Sequence, residues 1–195
     1  MLTDALAVTV RVTQVLERMG VPYFIGGSLA STLYGMVRTT QDSDIIADLR
    51  LEHVPLLVDA LEDDFYLDDE MMAEAIARRS SFNLIHRESM FKVDIFVPRP
   101  RAFTKAQFAR AGKQSLSSDP EMVAHVATPE DTLLAKLEWY RLGGEVSERQ
   151  WRDVLGVLKV QAGALDGDYL CRMARELHVE DLLGRAFEDA GQAVR

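Results

Sequence analysis

One cysteine, Cys171, in 195 residues leaves the chain without an internal disulfide or a thiolate metal centre, so an apolar core has to hold the fold. With 48% hydrophobic residues over this length, such a core is available, and a lone cysteine agrees with a reducing compartment. No apolar run approaches the length that crosses a bilayer, and Met1–Arg11 carries no basic region ahead of its apolar residues. The expectation is a soluble, cytoplasmic protein with no membrane partner. Positive charge is in deficit: 22 Lys and Arg stand against 31 Asp and Glu, a net charge of -9, so long-range attraction to nucleic acid is not the default. Histidine is also scarce. The four at 53, 86, 125 and 178 have no metal-ligand spacing and receive no catalytic role. Internal repeats and low-complexity segments are absent.

One stretch departs from the acidic balance. From Arg78 to Lys113 there are nine Lys or Arg (78, 79, 87, 92, 99, 101, 105, 110, 113) and two acids, Glu88 and Asp94. It reads either as a solvated rim or as an anion-binding surface.

Apolar spacing over Leu6–Met19, with Gly20 behind it, predicts an opening amphipathic helix, and Val21–Ile25 a short strand that runs into Gly26-Gly27-Ser28. A helix over Ser28–Tyr34 stops at Gly35; a strand follows over Asp44–Leu49, then a helix near His53–Leu61 and an acidic loop at Glu62–Glu70. Ser81–His86 and Phe91–Val97 read as an antiparallel pair joined through Arg87–Met90, with Pro98 and Pro100 ending the second strand. Character changes after Phe103. Beyond Thr128 the pattern is helical throughout: Thr128-Pro129-Glu130-Asp131 combines a capping hydroxyl, a proline at the first helical position and two acids, while Ser147 and Asp166 cap later helices. The fold class is therefore α+β, a mixed sheet with flanking helices over 1–103 and a mainly helical region over 104–195. Trp139, Tyr140 and Trp151 are read as core or inter-helix anchors.

Three features carry chemistry. A strand entering Gly26-Gly27-Ser28 and then a helix lets backbone N–H groups approach phosphate oxygens at a positive helix end, a candidate triphosphate cradle. Asp42 and Asp44, two apart at a strand start, project together and suit one or two hard cations; Mg²⁺ would offset their repulsion and stabilise charge developing at an attacked phosphorus. Asp94, inside Phe91-Lys-Val-Asp-Ile-Phe-Val97, is a carboxylate in an otherwise apolar strand, costly if buried without partners. Facing the same metal, it would complete the ligands or take a proton from an attacking hydroxyl.

Ile25-Gly26-Gly27-Ser28-Leu29-Ala30, followed by Tyr34-Gly35-x-x-Arg38-x-Thr40-x-Asp42-x-Asp44-Ile45, resembles the signature of the polymerase-β-type nucleotidyltransferase superfamily. More narrowly it is similar to the AbiEii-type branch, which includes toxins of bacterial toxin–antitoxin pairs. The resemblance implies a nucleotidyltransferase-like sheet followed by a C-terminal helical bundle. It implies that Gly27 and Ser28 bind triphosphate and that Asp42, Asp44 and Asp94 form the metal-binding and catalytic set. It further implies Mg²⁺ or Mn²⁺ as cofactor and an NTP as substrate. Pro129-Glu130-Asp131 and Lys136 match a helix of this branch whose lysine reaches phosphate, with a solvent-facing lysine as the alternative, and Asp153 matches a further acid given a structural role. Arg38, four residues before the metal pair, contacts phosphate or braces an aspartate, or else is a surface arginine. Relatives place a lysine between the metal pair and the third carboxylate, for which Arg78 or Arg79 is the substitute considered.

The leading expectation is transfer of a nucleoside monophosphate from NTP to an acceptor hydroxyl on tRNA, protein or a small molecule, with a cognate antitoxin as a possible partner. The competing class is a catalytically weak or inactive NTP-binding or protein-interaction module of the same fold. A glycosyltransferase or phosphoaspartate phosphatase fits poorly, because Arg38-Thr-Thr-Gln41, not an apolar strand, precedes Asp42.

Overall fold

The computed structural model describes residues 2–35 and 42–192. Two compact units divide them: one holds residues through Gly26 and those from 42 to Val126, the other residues 27–35 and everything from Ala127.

In the first unit, α1 (Leu2–Arg18) buries Leu6, Val12, Val15 and Leu16 and leads into β1 (Tyr23–Ile25). β2 (Asp42–Ala47) is followed by a 3-10 turn at Leu51–His53, α3 (Val54–Leu61), β3 (Phe65–Tyr66) and α4 (Asp69–Arg78). Then come β4 (Ser81–His86), β5 (Lys92–Phe96), α5 (Ala102–Arg110), β6 (Gly112–Ser115) and β7 (Val123–Val126). The acidic stretch expected to be a loop instead contains β3 and the start of α4. Phe65, fully buried, anchors that strand, and Asp68 caps the helix by accepting a hydrogen bond from the Met71 N–H at 2.8 Å.

The strands form one mixed sheet in the order β3-β4-β5-β2-β1-β7-β6. β4 and β5 are antiparallel, as their short link predicts, whereas β2 and β5 run parallel and bring together segments distant in sequence. Cross-strand partners share a face. One face buries Ser43, Ile45 and Ala47 of β2, Val93 and Ile95 of β5, and Phe82 and Leu84 of β4. The other carries Asp42, Asp44, Lys92, Asp94 and Asn83, all less buried. Alternation thus makes one side core and leaves the other accessible for chemistry. Each large apolar side chain withdrawn from water on the core side contributes about 1.5–3 kcal/mol.

The second unit comprises α2 (Gly27–Tyr34), α6 (Pro129–Leu142), α7 (Glu148–Val160), α8 (Gly167–Glu176) and α9 (Glu180–Asp189). α6 starts as its sequence predicts: the Asp131 N–H donates to Thr128 Oγ1 at 3.2 Å and that hydroxyl donates to Asp131 Oδ2 at 3.1 Å. The two acids do more than complement a dipole. Asp131 is fully buried and accepts from the Tyr169 hydroxyl at 2.5 Å, and Glu130 accepts from the Asp166 N–H at 3.0 Å, so both tie α6 to the start of α8. Trp139 corrects an expectation: it is 55% exposed, while Tyr140 and Trp151 are buried against each other at 5.1 Å between ring centroids.

Candidate active site

Asp42 and Asp44 open β2, pointing to one side because strand residues two apart share a face. In the parallel register of β2 and β5, Asp44 lies opposite Asp94 and Asp42 opposite Lys92. Strand spacing sets Asp44 and Asp94 about 4.8 Å apart at their backbones, and Asp42 about 6.6 Å from Asp44. Three carboxylates therefore rise from neighbouring points on the open face. Asn83 of β4 stands opposite Asp94 and adds an exposed amide to the same row.

Lys92 changes the reading of Asp94. Its ammonium donates to Asp94 Oδ2 at 2.7 Å, with the aspartate side chain 18% exposed and the lysine 42%. The hydrogen bond to Asp94, with the added attraction of Asp94, Asp42 and Asp44, raises the Lys92 pKa above the ordinary lysine value. Asp94 therefore has a partner two residues back on its own strand. Period-2 alternation contained that signal, because Lys92 and Asp94 share a face in any strand. In the sequence alone Lys92 stands out only as one of the nine cations of the basic stretch.

The donor set suits a hard divalent cation by chemistry and by backbone register. Among the described residues no three Asp, Glu, His or Cys side chains are grouped closely enough to hold an ion. Asp94 is directed to Lys92 instead.

Gly26 belongs to the same unit, its N–H donating to the Asp44 carbonyl at 2.9 Å. Gly27 and Ser28 belong to the second unit, where Gly27 has a φ of +53°. That left-handed turn is open to glycine and strained for other residues, and it lets the chain pass from β1 directly into α2. Ser28 is buried, and its hydroxyl accepts from the Arg149 guanidinium at 3.5 Å. Arg149 sits at the start of α7 with no motif around it, and sequence reasoning missed it. Lys136 is neither solvent-facing nor free: its ammonium donates to Asp153 Oδ2 at 2.9 Å, both side chains only about 10% exposed. Arg38 lies outside the described residues.

Arg78 and Arg79 do not reach the carboxylates. Arg78 pairs with Glu74 at 2.8 Å within α4, and Arg79 with Asp48 at 3.0 Å, just beyond the far end of β2. Four residues of strand, about 13 Å, separate Asp48 from Asp44. A cavity of about 420 Å³ in the first unit, lined by Glu17, Tyr23, Phe108, Lys113 and His125 among others, contains none of the assigned residues.

No protein-family model and no curated protein matches the chain. Among solved structures, an antigenic nucleotidyltransferase-like protein from Paracoccidioides brasiliensis is 16% identical, with 95% of this chain and 93% of that one covered and a TM-score of 0.55. The antibiotic-resistance factor ANT(2'')-Ia is 12% identical, covering 97% and 96% at a TM-score of 0.48. The lincosamide antibiotic adenylyltransferase LnuA, solved with lincomycin bound, is 18% identical, covering 75% and 92% at 0.44. At such identity the first likeness is one of fold: the chain has a nucleotidyltransferase-like fold, a mixed sheet with flanking helices.

Proposed function

We propose that this protein transfers a nucleoside monophosphate from an NTP to an acceptor hydroxyl, with Asp42, Asp44 and Asp94 holding Mg²⁺ or Mn²⁺ and Gly26, Gly27 and Ser28 binding the triphosphate. The observation that carries this reading is the in-register pairing of Asp44 with Asp94 across parallel strands, with Asp42 on the same face. Lys92 sets one positive charge against three carboxylates on this face, an excess of negative charge that suits a divalent cation. The divalent ion, when bound, would supply positive charge against the α-phosphate and the departing pyrophosphate. In the transfer, the acceptor oxygen bonds to the α-phosphorus, the bridge to the β-phosphate breaks, and the hydroxyl proton passes to a carboxylate, a task Asp94 suits from its own strand. Arg149, bonded to Ser28, and Arg38 add positive charge for phosphate oxygens. Lys136, committed to Asp153, stabilises the helical unit and stands behind that role.

The AbiEii-type resemblance extends the reading to the toxin of a toxin–antitoxin pair, with a cognate antitoxin as partner and tRNA, protein or a small molecule as acceptor. The Lys92–Asp94 pair favours a second reading, an NTP-binding or interaction module without turnover. One experiment separates them: purified protein is incubated with α-labelled NTPs, Mg²⁺ or Mn²⁺ and cell extract, and both labelled acceptor and released pyrophosphate are followed. Metal-dependent label that falls to background in Asp42→Ala supports transfer. Nucleotide binding without pyrophosphate release supports the module, and identical traces for wild type and Asp42→Ala reject transfer.

A further inference from the structure

Lys92 is positioned as more than a strand residue. It faces Asp42 across the β2–β5 register, its ammonium lies 2.7 Å from Asp94 Oδ2, and the charges of Asp42, Asp44 and Asp94 all act on it. A monovalent cation of the chain's own thus stands among the three carboxylates proposed to hold a divalent one. An ammonium and a divalent ion cannot share one carboxylate oxygen at ligand distance without strong repulsion, since like charges a few ångströms apart on a protein surface cost kilocalories. Lys92 is able to leave, because its side chain is 42% exposed and carries its charge on a flexible four-carbon stem.

Resting on the nucleotidyltransferase reading, we infer that Lys92 is a built-in counter-cation that competes with the divalent ion for Asp94 and stabilises the carboxylate row whenever the ion is absent. Entry of the ion at Asp94 Oδ2 requires the ammonium to release that oxygen. Once released at the strand mouth beside Asp42, the ammonium is available to an anion, and the polyphosphate of the nucleotide is the anion this site would receive. Metal alone therefore binds weakly, and nucleotide that engages the lysine strengthens it. Lys92 is a positioning residue in this scheme: it acts by holding or freeing Asp94.

The test is calorimetric titration of Mn²⁺ alone into wild type, Lys92→Met, Lys92→Arg and Asp42→Asn, together with thermal melts in chelator and in Mn²⁺. The expected result is that Lys92→Met binds Mn²⁺ about tenfold more tightly than wild type, because one competing positive charge is gone, while Lys92→Arg stays at the wild-type value. In chelator Lys92→Met melts below wild type, and Mn²⁺ raises its melting temperature by more than it raises that of wild type. Lys92→Gln repeats the titration should the methionine variant fold poorly. Unchanged or weaker Mn²⁺ binding in both neutral variants overturns the inference. Mn²⁺ binding that survives Asp42→Asn in full overturns the site assignment beneath it as well, and so tells the two failures apart.

Discussion

Between the two aspartates of β2, Ser43 is fully buried on the core face, and its hydroxyl has no hydrogen-bond partner among the described residues. A buried hydroxyl left unbonded costs more than an apolar group of similar size. Ser43→Ala is therefore expected to raise stability by about 1 kcal/mol, read as a higher denaturant midpoint at constant slope, and a loss would show that the hydroxyl is bonded after all. Tyr23 gives a second residue-level expectation. Burial of the ring, and then the hydrogen bond from its hydroxyl to Glu17 at 2.7 Å, push its pKa up from 10.0 to about 12. A folded-state value above the unfolded one favours the protonated form. The contribution is complete below pH 10 and is lost as pH rises from 10 to about 12. A phenolate absorbance difference titration between wild type and Tyr23→Phe is expected to centre near 12, and a midpoint at the ordinary tyrosine value would deny that burial controls the group. At this scale the acidic residues of the site were legible because aspartate at a strand start is conspicuous. Lys92 was not, since its meaning depends on which cross-strand neighbours share its face.

Elements whose evidence is local were read well, and those that depend on distant pairing were not. The β4–β5 hairpin was legible because a short link permits little else, and α6 because Thr128, Pro129 and Asp131 form a start signal within four residues. β6 and β7 escaped for the opposite reason. Gly112-Lys-Gln-Ser115 is polar and mostly exposed, as an edge strand is, and β7 joins the sheet by parallel pairing with β1, about a hundred positions earlier. Gly35 shows an element contact that only coordinates reveal. A Cβ there would meet the Ser31 carbonyl oxygen at 2.9 Å, the Val157 nitrogen at 3.0 Å and the Gly156 carbonyl carbon at 3.1 Å, all backbone. Since backbone of α2 and α7 cannot swing aside as a flexible side chain does, Gly35→Ala is expected to cost about 1–3 kcal/mol in the second unit. Thermal unfolding followed by circular dichroism measures this, and an unchanged melt would mean that the approach of α7 is looser than these distances.

At the scale of the whole molecule, charge separates the two readings of the basic stretch. Its cations are largely engaged within the first unit. Arg78 pairs with Glu74, Arg79 with Asp48 and Lys92 with Asp94, while Arg87 stacks over Tyr66 at 4.2 Å and Arg101 lies 5.5 Å from the Phe103 ring. A cation already paired with a carboxylate adds little attraction for a phosphate backbone, because displacing its partner costs what the new contact gains. The remaining field is that of a chain with net charge -9, which repels a polyanion at long range. Non-specific polyanion binding, being an electrostatic effect, falls steeply with salt and in proportion to the number of phosphates neutralised. On immobilised heparin at neutral pH the protein is therefore expected to elute below about 0.15 M salt, and its affinity for random single-stranded RNA to show a shallow salt slope. Retention beyond about 0.3 M would restore the stretch from Arg78 to Lys113 as an anion-binding face. Early elution would mean that an RNA acceptor, if the protein has one, is chosen by contacts close to the transferred phosphate, with no help from long-range attraction.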